Sequence, residues 1–114
     1  MIKVIGMLKK KNGMTTQEFA EYWREKHAPL GFKILPEECR PTKYLQNYAI
    51  DLGGGGEPPF DAVAESYFDD MASFKRWNEW FWGEGGKPLR DDEDNFMDKS
   101  KRIVVLVEER EVTP

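Results

Sequence analysis

Ile103-Val104-Val105-Leu106-Val107 is a run of five apolar residues, and Ile2 to Leu8 is apolar at both alternations, with Ile2, Val4 and Leu8 on one face and Ile5 and Met7 on the other. A strand shows successive side chains to opposite faces of a sheet, so these two segments need cover on both sides. Between them the periodicity predicts a helix over Thr15 to Leu30, a strand over Thr42 to Asp51, a strand over Ala62 to Phe68 and a second helix from Asp69-Asp70 to about Trp82. The order β-α-β-β-α-β predicts an α+β protein of the ferredoxin-like kind. It has a four-stranded antiparallel sheet, two helices on one face, and the first and third strands in the centre. Two helices cover only one face. With a single domain over residues 1–114, the simplest cover for the other is a second copy of the chain, so a homodimer with sheets face to face is expected.

The punctuation agrees with this order. Asn12-Gly13 turns the chain after the first strand, and Thr15 with Glu18 three residues on forms a capping box. Pro29 is expected to end the first helix. Phe32 to Pro41 reads as a connection, Gly53 to Pro59 as a loop between strands, and Gly83, Gly85 and Gly86 as the end of the second helix. Pro88 to Asn95 reads as a short acidic helical turn.

Several function classes are excluded by composition. A net charge of −4 leaves no basic excess for a nucleic-acid backbone. No stretch is long enough to span a membrane, and Met1-Ile2-Lys3-Val4 alternates like a strand, not like a leader. Cys39 is alone, so no intrachain disulfide forms, which fits a cytoplasmic location. Asp91-Asp92-Glu93-Asp94 lacks the glycine and distant glutamate of a calcium loop and reads as solvated surface. With one histidine and one cysteine, no metal or other cofactor is expected, and the glycine run lacks the lysine of a phosphate loop.

The candidate chemistry centres on His27, the only histidine. At about 100° per residue, Trp23 falls about 40° and His27 about 80° from Phe19, at the rim of the apolar stripe. Two readings stand: a packed imidazole bonded to a backbone carbonyl, or an acid–base group favoured as imidazolium by a helix end. Glu65, mid-way along the third strand, needs a partner there. Either it orients His27, or it faces the dimer seam. Tyr44, Tyr48, Tyr67 and Trp23 offer rings and polar tips that suit a flat, oxygenated organic molecule as well as plain packing. Trp80 falls opposite the other bulky residues of its helix, where dimer contact or packing of the acidic segment would cover it.

Four pieces in order carry a resemblance: Met1 to Lys10, the helix ending Trp23-Arg24-Glu25-Lys26-His27-Ala28-Pro29, the strand Asp61 to Asp70 with Glu65-Ser66-Tyr67-Phe68, and Asp92-Glu93-Asp94-Asn95-Phe96. Together they resemble the EthD family of small dimeric α+β barrel proteins. That family is named for a protein linked to bacterial breakdown of ethyl tert-butyl ether. Its members include proteins that look like dehydratases, decarboxylases or cyclases of aromatic polyketides, and its wider superfamily includes cofactor-free monooxygenases and muconolactone isomerases. The resemblance implies a pocket between sheet and helices with His27 and Glu65 facing it. The activity implied is cofactor-independent acid–base chemistry on a small aromatic or lactone-like substrate, by isomerisation, dehydration, decarboxylation or oxidation. The alternatives are a non-catalytic accessory protein serving a partner oxygenase, and haem binding through His27.

Overall fold

The computed structural model describes residues 1–51 and 53–114. Four strands form one antiparallel sheet: β1 (Ile2–Leu8), β2 (Lys43–Tyr48), β3 (Ala62–Phe68) and β4 (Ile103–Glu108), in the order β2-β3-β1-β4. The fold is ferredoxin-like α+β, with β1 and β3 central. The helices are α1 (Thr16–Tyr22), α2 (Ala28–Ile34), α3 (Met71–Trp82) and the short α4 (Lys87–Glu93). None is long and apolar enough to cross a membrane.

Register decides what each strand residue faces. Ile5 pairs with Glu65 and with Val105, and Gly6 pairs with Ala64 and with Val104. Residues directly opposite share a face, so Val4, Gly6, Leu8, Ala62, Ala64, Ser66 and Phe68 lie under the helices while Ile5, Met7, Val63, Glu65 and Tyr67 lie on the other side. Small residues at Gly6 and Ala64 leave space between the sheet and the helices, and Ala62 packs in the core against the first helix. Its Phe19 and Trp23, with Leu8, Ala62, Phe96 and Met97, form the main core, and Phe19 and Phe96 are wholly buried. The outer face stays largely apolar and open, with Ile103 and Val105 about half exposed.

Pro29 does not end the helix. The chain passes from α1 through a wide turn over Trp23–His27, in which the Ala28 N–H donates to the Trp23 carbonyl five residues back, and then continues as α2. Proline lacks the N–H that an α-turn would use, and its ring clashes with the carbonyl four residues earlier. The wider turn opens that carbonyl away and puts Pro29 in the first turn of α2, where no donor is missed. Phe32 to Ile34 are therefore helical, and a single 3₁₀ turn follows at Glu37–Cys39. The capping box at Thr15 is present, with the Glu18 N–H donating to the Thr15 hydroxyl and the Thr15 N–H to the Glu18 carboxylate.

After α4 the chain returns to the sheet. The Lys11 N–H donates to the Phe96 carbonyl at 2.9 Å and the Asp98 N–H to the Lys9 carbonyl at 2.9 Å, with Lys10 bridged to Met97. This short extension of β1 anchors α4 and Phe96 against the first helix, and it brings the acidic segment to His27.

Candidate active site

A cavity of about 280 Å³ lies between the inner sheet face and the helices. Its wall is mainly apolar and aromatic: Trp23 and Phe32 from the first helical run, Tyr44 from β2, Phe74, Trp77, Trp80 and Phe81 from α3, and Val104 and Leu106 from β4. The polar groups on it are few, chiefly His27, Ser66, Asn78, Glu93 and Arg102. The ring of Trp77 stacks on Phe81 at 5.2 Å and packs against Phe68 at 5.7 Å, which fixes one wall.

His27 sits on the wide turn, where the extra residue slows rotation about the axis and keeps the ring on the buried side with Trp23. Phe96 packs against it at 4.8 Å between ring centres. Its partner is Asp92: Nδ1 lies 2.8 Å from Asp92 Oδ2. The other carboxylate oxygen of Asp92 accepts from the Tyr22 hydroxyl at 2.6 Å and from the Asn95 amide at 3.1 Å, and that amide also donates to the Tyr22 oxygen at 3.2 Å. Burial pushes the Asp92 carboxyl up, but the donors Tyr22, His27 and Asn95 together outweigh it and hold the group below the usual carboxylate range. For His27 the balance runs the other way. Burial lowers its proton affinity below that of an ordinary imidazole, against the raising effects of the Asp92 hydrogen bond and the charges of Glu93 and Asp92. The state that fits is a neutral ring donating from Nδ1 to a carboxylate, with Nε2 making no hydrogen bond to protein among the described residues. The expected help from a helix end is absent, because the helix does not end there.

Glu65 does not meet His27. It is on the opposite face of the sheet, where Lys3 Nζ lies 2.8 Å from Oε1 and the Asn47 amide donates to Oε2 at 3.0 Å. The Lys3 ammonium, then the Asn47 amide, hold its carboxyl below the usual range. The reason is strand parity: Val63, Glu65 and Tyr67 alternate with the inward Ala64 and Ser66. Tyr67 shares that outer face, its hydroxyl within 3.0 Å of Glu109 and its ring under Lys3. Trp23 and Tyr44 line the cavity as expected, and burial raises the Tyr44 phenol above its ordinary value. Tyr48 shares the inner face but lies at the end of the edge strand, outside the cavity, with its ring on Trp23 at 5.5 Å and its hydroxyl on Gln46.

The acidic run is not solvated surface. Glu93 is buried and Asp92 partly so, whereas Asp91 and Asp94 face solvent. Leu89, Asp92, Glu93 and Phe96 fall at i, i+3, i+4 and i+7, one helical stripe that begins and ends on an apolar residue, and this spacing marks both carboxylates as inward. Trp80 also departs from expectation. It lines the cavity and packs on Gly85, where a Cβ would stand 2.6 Å from its indole nitrogen. Among the described residues no three histidine, cysteine, aspartate or glutamate side chains converge as metal ligands would.

Comparison with known proteins supports the architecture. The EthD domain model matches residues 11–100. Among solved structures, an ethyl tert-butyl ether D family protein from Bacillus halodurans superposes with a TM-score of 0.69 at 24% identity, covering 96% of this chain and 99% of that one. A dimeric protein of ferredoxin-like fold from Bacteroides fragilis gives 0.61 at 15% identity, covering 94% of each chain. The hydroxynitrile lyase of Passiflora edulis gives 0.65 at 13% identity, covering 99% of this chain and 96% of that one. No curated protein sequence matches the chain.

Proposed function

The chain belongs to the EthD domain family, and from that premise we propose that it is a small homodimeric, cytoplasmic enzyme that performs acid–base chemistry on a flat aromatic or lactone-like compound. The observation that carries this reading is the buried His27, held at 2.8 Å by Asp92 on the wall of a largely apolar cavity. A base of this kind needs a neutral ring, an oriented tautomer and a dry site. Burial supplies the first, Asp92 the second and the aromatic wall the third.

In the forward step Nε2 takes a proton from a carbon acid or hydroxyl of the bound molecule. Asp92, fixed by Tyr22 and Asn95, stabilises the imidazolium that results, and Glu93 adds negative charge nearby. The imidazolium then returns the proton elsewhere on the substrate or to a leaving group. Isomerisation, dehydration and decarboxylation all fit this sequence. A lyase among proteins of this fold is consistent with it, although a shared fold does not carry a reaction across. Trp23 and Tyr44 are proposed to shape the substrate, and the outer sheet face to bind a second copy.

The test is turnover of a panel of small aromatic ketones, β-keto acids, lactones and hydroxynitriles, followed by NMR. Wild type should convert at least one compound, and His27→Ala should lose at least 100-fold of that rate with an unchanged circular-dichroism spectrum. Tight binding with no product from any compound would instead indicate a carrier for a partner oxygenase. Full activity in His27→Ala would remove the mechanism.

A further inference from the structure

One cationic side chain lies along the cavity wall among the described residues, and the acid–base reading leaves it without a task. Arg102 stands at the entry to β4, its side chain mostly buried. Its Nη1 lies 2.9 Å from Glu93 Oε2 and near the Met97 sulfur. Nε and Nη2 have no protein partner among the described residues. A guanidinium presents its donors in a planar fork, and the N–H groups that Glu93 leaves unused on this wall are accessible to a ligand oxygen. Glu93 does not use up the charge. Its other oxygen is buried without a hydrogen bond, and Lys99 Nζ stands 3.6 Å from it, so one carboxylate is shared between two cations. Arg102 is also close enough to His27 for its charge to oppose protonation of the ring.

We infer that Arg102 holds the carbonyl oxygen of the substrate, which makes the substrate class neutral ketones or 1,3-dicarbonyl compounds with an acidic C–H beside the carbonyl. The inference deepens the acid–base reading and rests on it. His27 Nε2 takes the proton from the carbon next to the carbonyl. The C–H electron pair becomes the carbon–carbon double bond of an enolate, and the carbonyl π pair moves onto oxygen, where the free Arg102 N–H groups meet it. The imidazolium returns a proton to carbon, so atoms and charge balance without a redox partner. Because Glu93 already offsets part of the positive charge, the site favours an oxygen that becomes negative during reaction over a preformed carboxylate.

The experiment uses 2-tetralone and its deoxy analogue tetralin on the intact protein, with affinity read by tryptophan fluorescence and exchange of the ketone's α-protons read by proton NMR in D₂O. Wild type should bind the ketone about 10-fold or more tightly than tetralin, since a hydrogen bond to a charged donor is worth about that factor. It should also accelerate exchange. The double variant Arg102→Gln/Glu93→Gln, which removes both charges together, should lose the ketone preference and most of the exchange while binding tetralin as before. Should that variant not fold, Arg102→Lys carries the test, because the ion pair survives and the fork is lost, and its ketone preference should fall several-fold. No ketone preference in wild type, or a preference untouched by these variants, overturns the inference. Exchange that depends on His27 but survives loss of the pair overturns the role of Arg102 and leaves the acid–base reading in place. An Arg102-dependent ketone preference without any exchange keeps the carbonyl site and removes the acid–base reading.

Discussion

A single histidine makes the protonation of this site directly measurable. Burial lowers the His27 proton affinity more than Asp92 and Glu93 raise it, so its NMR titration should have a midpoint below the ordinary value of about 6.5. Asp92→Asn removes a raising partner and should move the midpoint lower still. A midpoint above 6.5 in wild type would show that the carboxylates win and that the ring rests as imidazolium. The same sign governs stability. A base whose affinity is lower when folded binds fewer protons in the native state than in the unfolded one. The stability from a neutral His27 is therefore complete above about pH 6.5 and declines as pH falls below it. Urea midpoints taken down that range should fall, and His27→Gln should flatten the slope. At this scale the sequence singled out an imidazole that lies on the cavity wall, but the carboxylate it offered as a partner, Glu65, pairs elsewhere and Asp92 takes its place. Glu65 drew attention as a charge in a central strand, yet its parity with Val63 and Tyr67 already put it on the far face.

Elements were legible where the local signal was complete and illegible where two signals met. Thr15 with Glu18 marked a helix start correctly, and Thr15→Ala should destabilise the protein by about 1 kcal/mol in urea denaturation. Pro29 was expected to stop that helix, because proline removes a donor and crowds the preceding turn. The wide turn at Trp23–His27 relieves both constraints, and tertiary packing of Trp23 and His27 under Phe96 favours it over a break. Between α3 and α4 the glycines do more than end a helix. A Cβ on Gly86 would overlap the Phe81 carbonyl. Gly86→Ala should therefore cost about 1–3 kcal/mol of stability as overpacking, measured in the same way. An unchanged midpoint would show that this connection can shift without strain.

For the whole molecule, the outer sheet face is the surface that needs cover. Ile5, Met7, Val63 and Val105 make it apolar, and at one end Lys3 joins Glu65, Tyr67 and Glu109 in a hydrogen-bonded cluster. Hydrogen bonds to Glu109 and then Glu65 raise the Lys3 proton affinity, and the Lys3 ammonium lowers that of both carboxylates, so these three groups stay ionised near neutrality. A face with an apolar field and a polar margin suits a self-complementary contact. Sedimentation velocity at micromolar concentration should show a dimer. Val105→Asp, on a side chain about half exposed in the single chain, should yield a folded monomer. A wild-type monomer would leave the proposed homodimer without support.

Periodicity in the sequence by itself determined the element order, the two faces of each strand and the helical stripe of Phe19 and Trp23, because these follow from spacings of two and of about 3.6 residues. With the order settled, the ferredoxin-like sheet and its open face followed. The partner of His27 was decided only by the tertiary structure. Asp92 is 65 residues away in the chain, and no local spacing relates two residues so separated. What joins them is the return of the chain after α4, where Phe96 and Asp98 pair with Lys11 and Lys9. That pairing puts a carboxylate that would be solvated on an isolated helix against a buried imidazole; loss of water lowers the proton affinity of the ring, while the donors Tyr22, His27 and Asn95 keep the carboxylate ionised against the same loss.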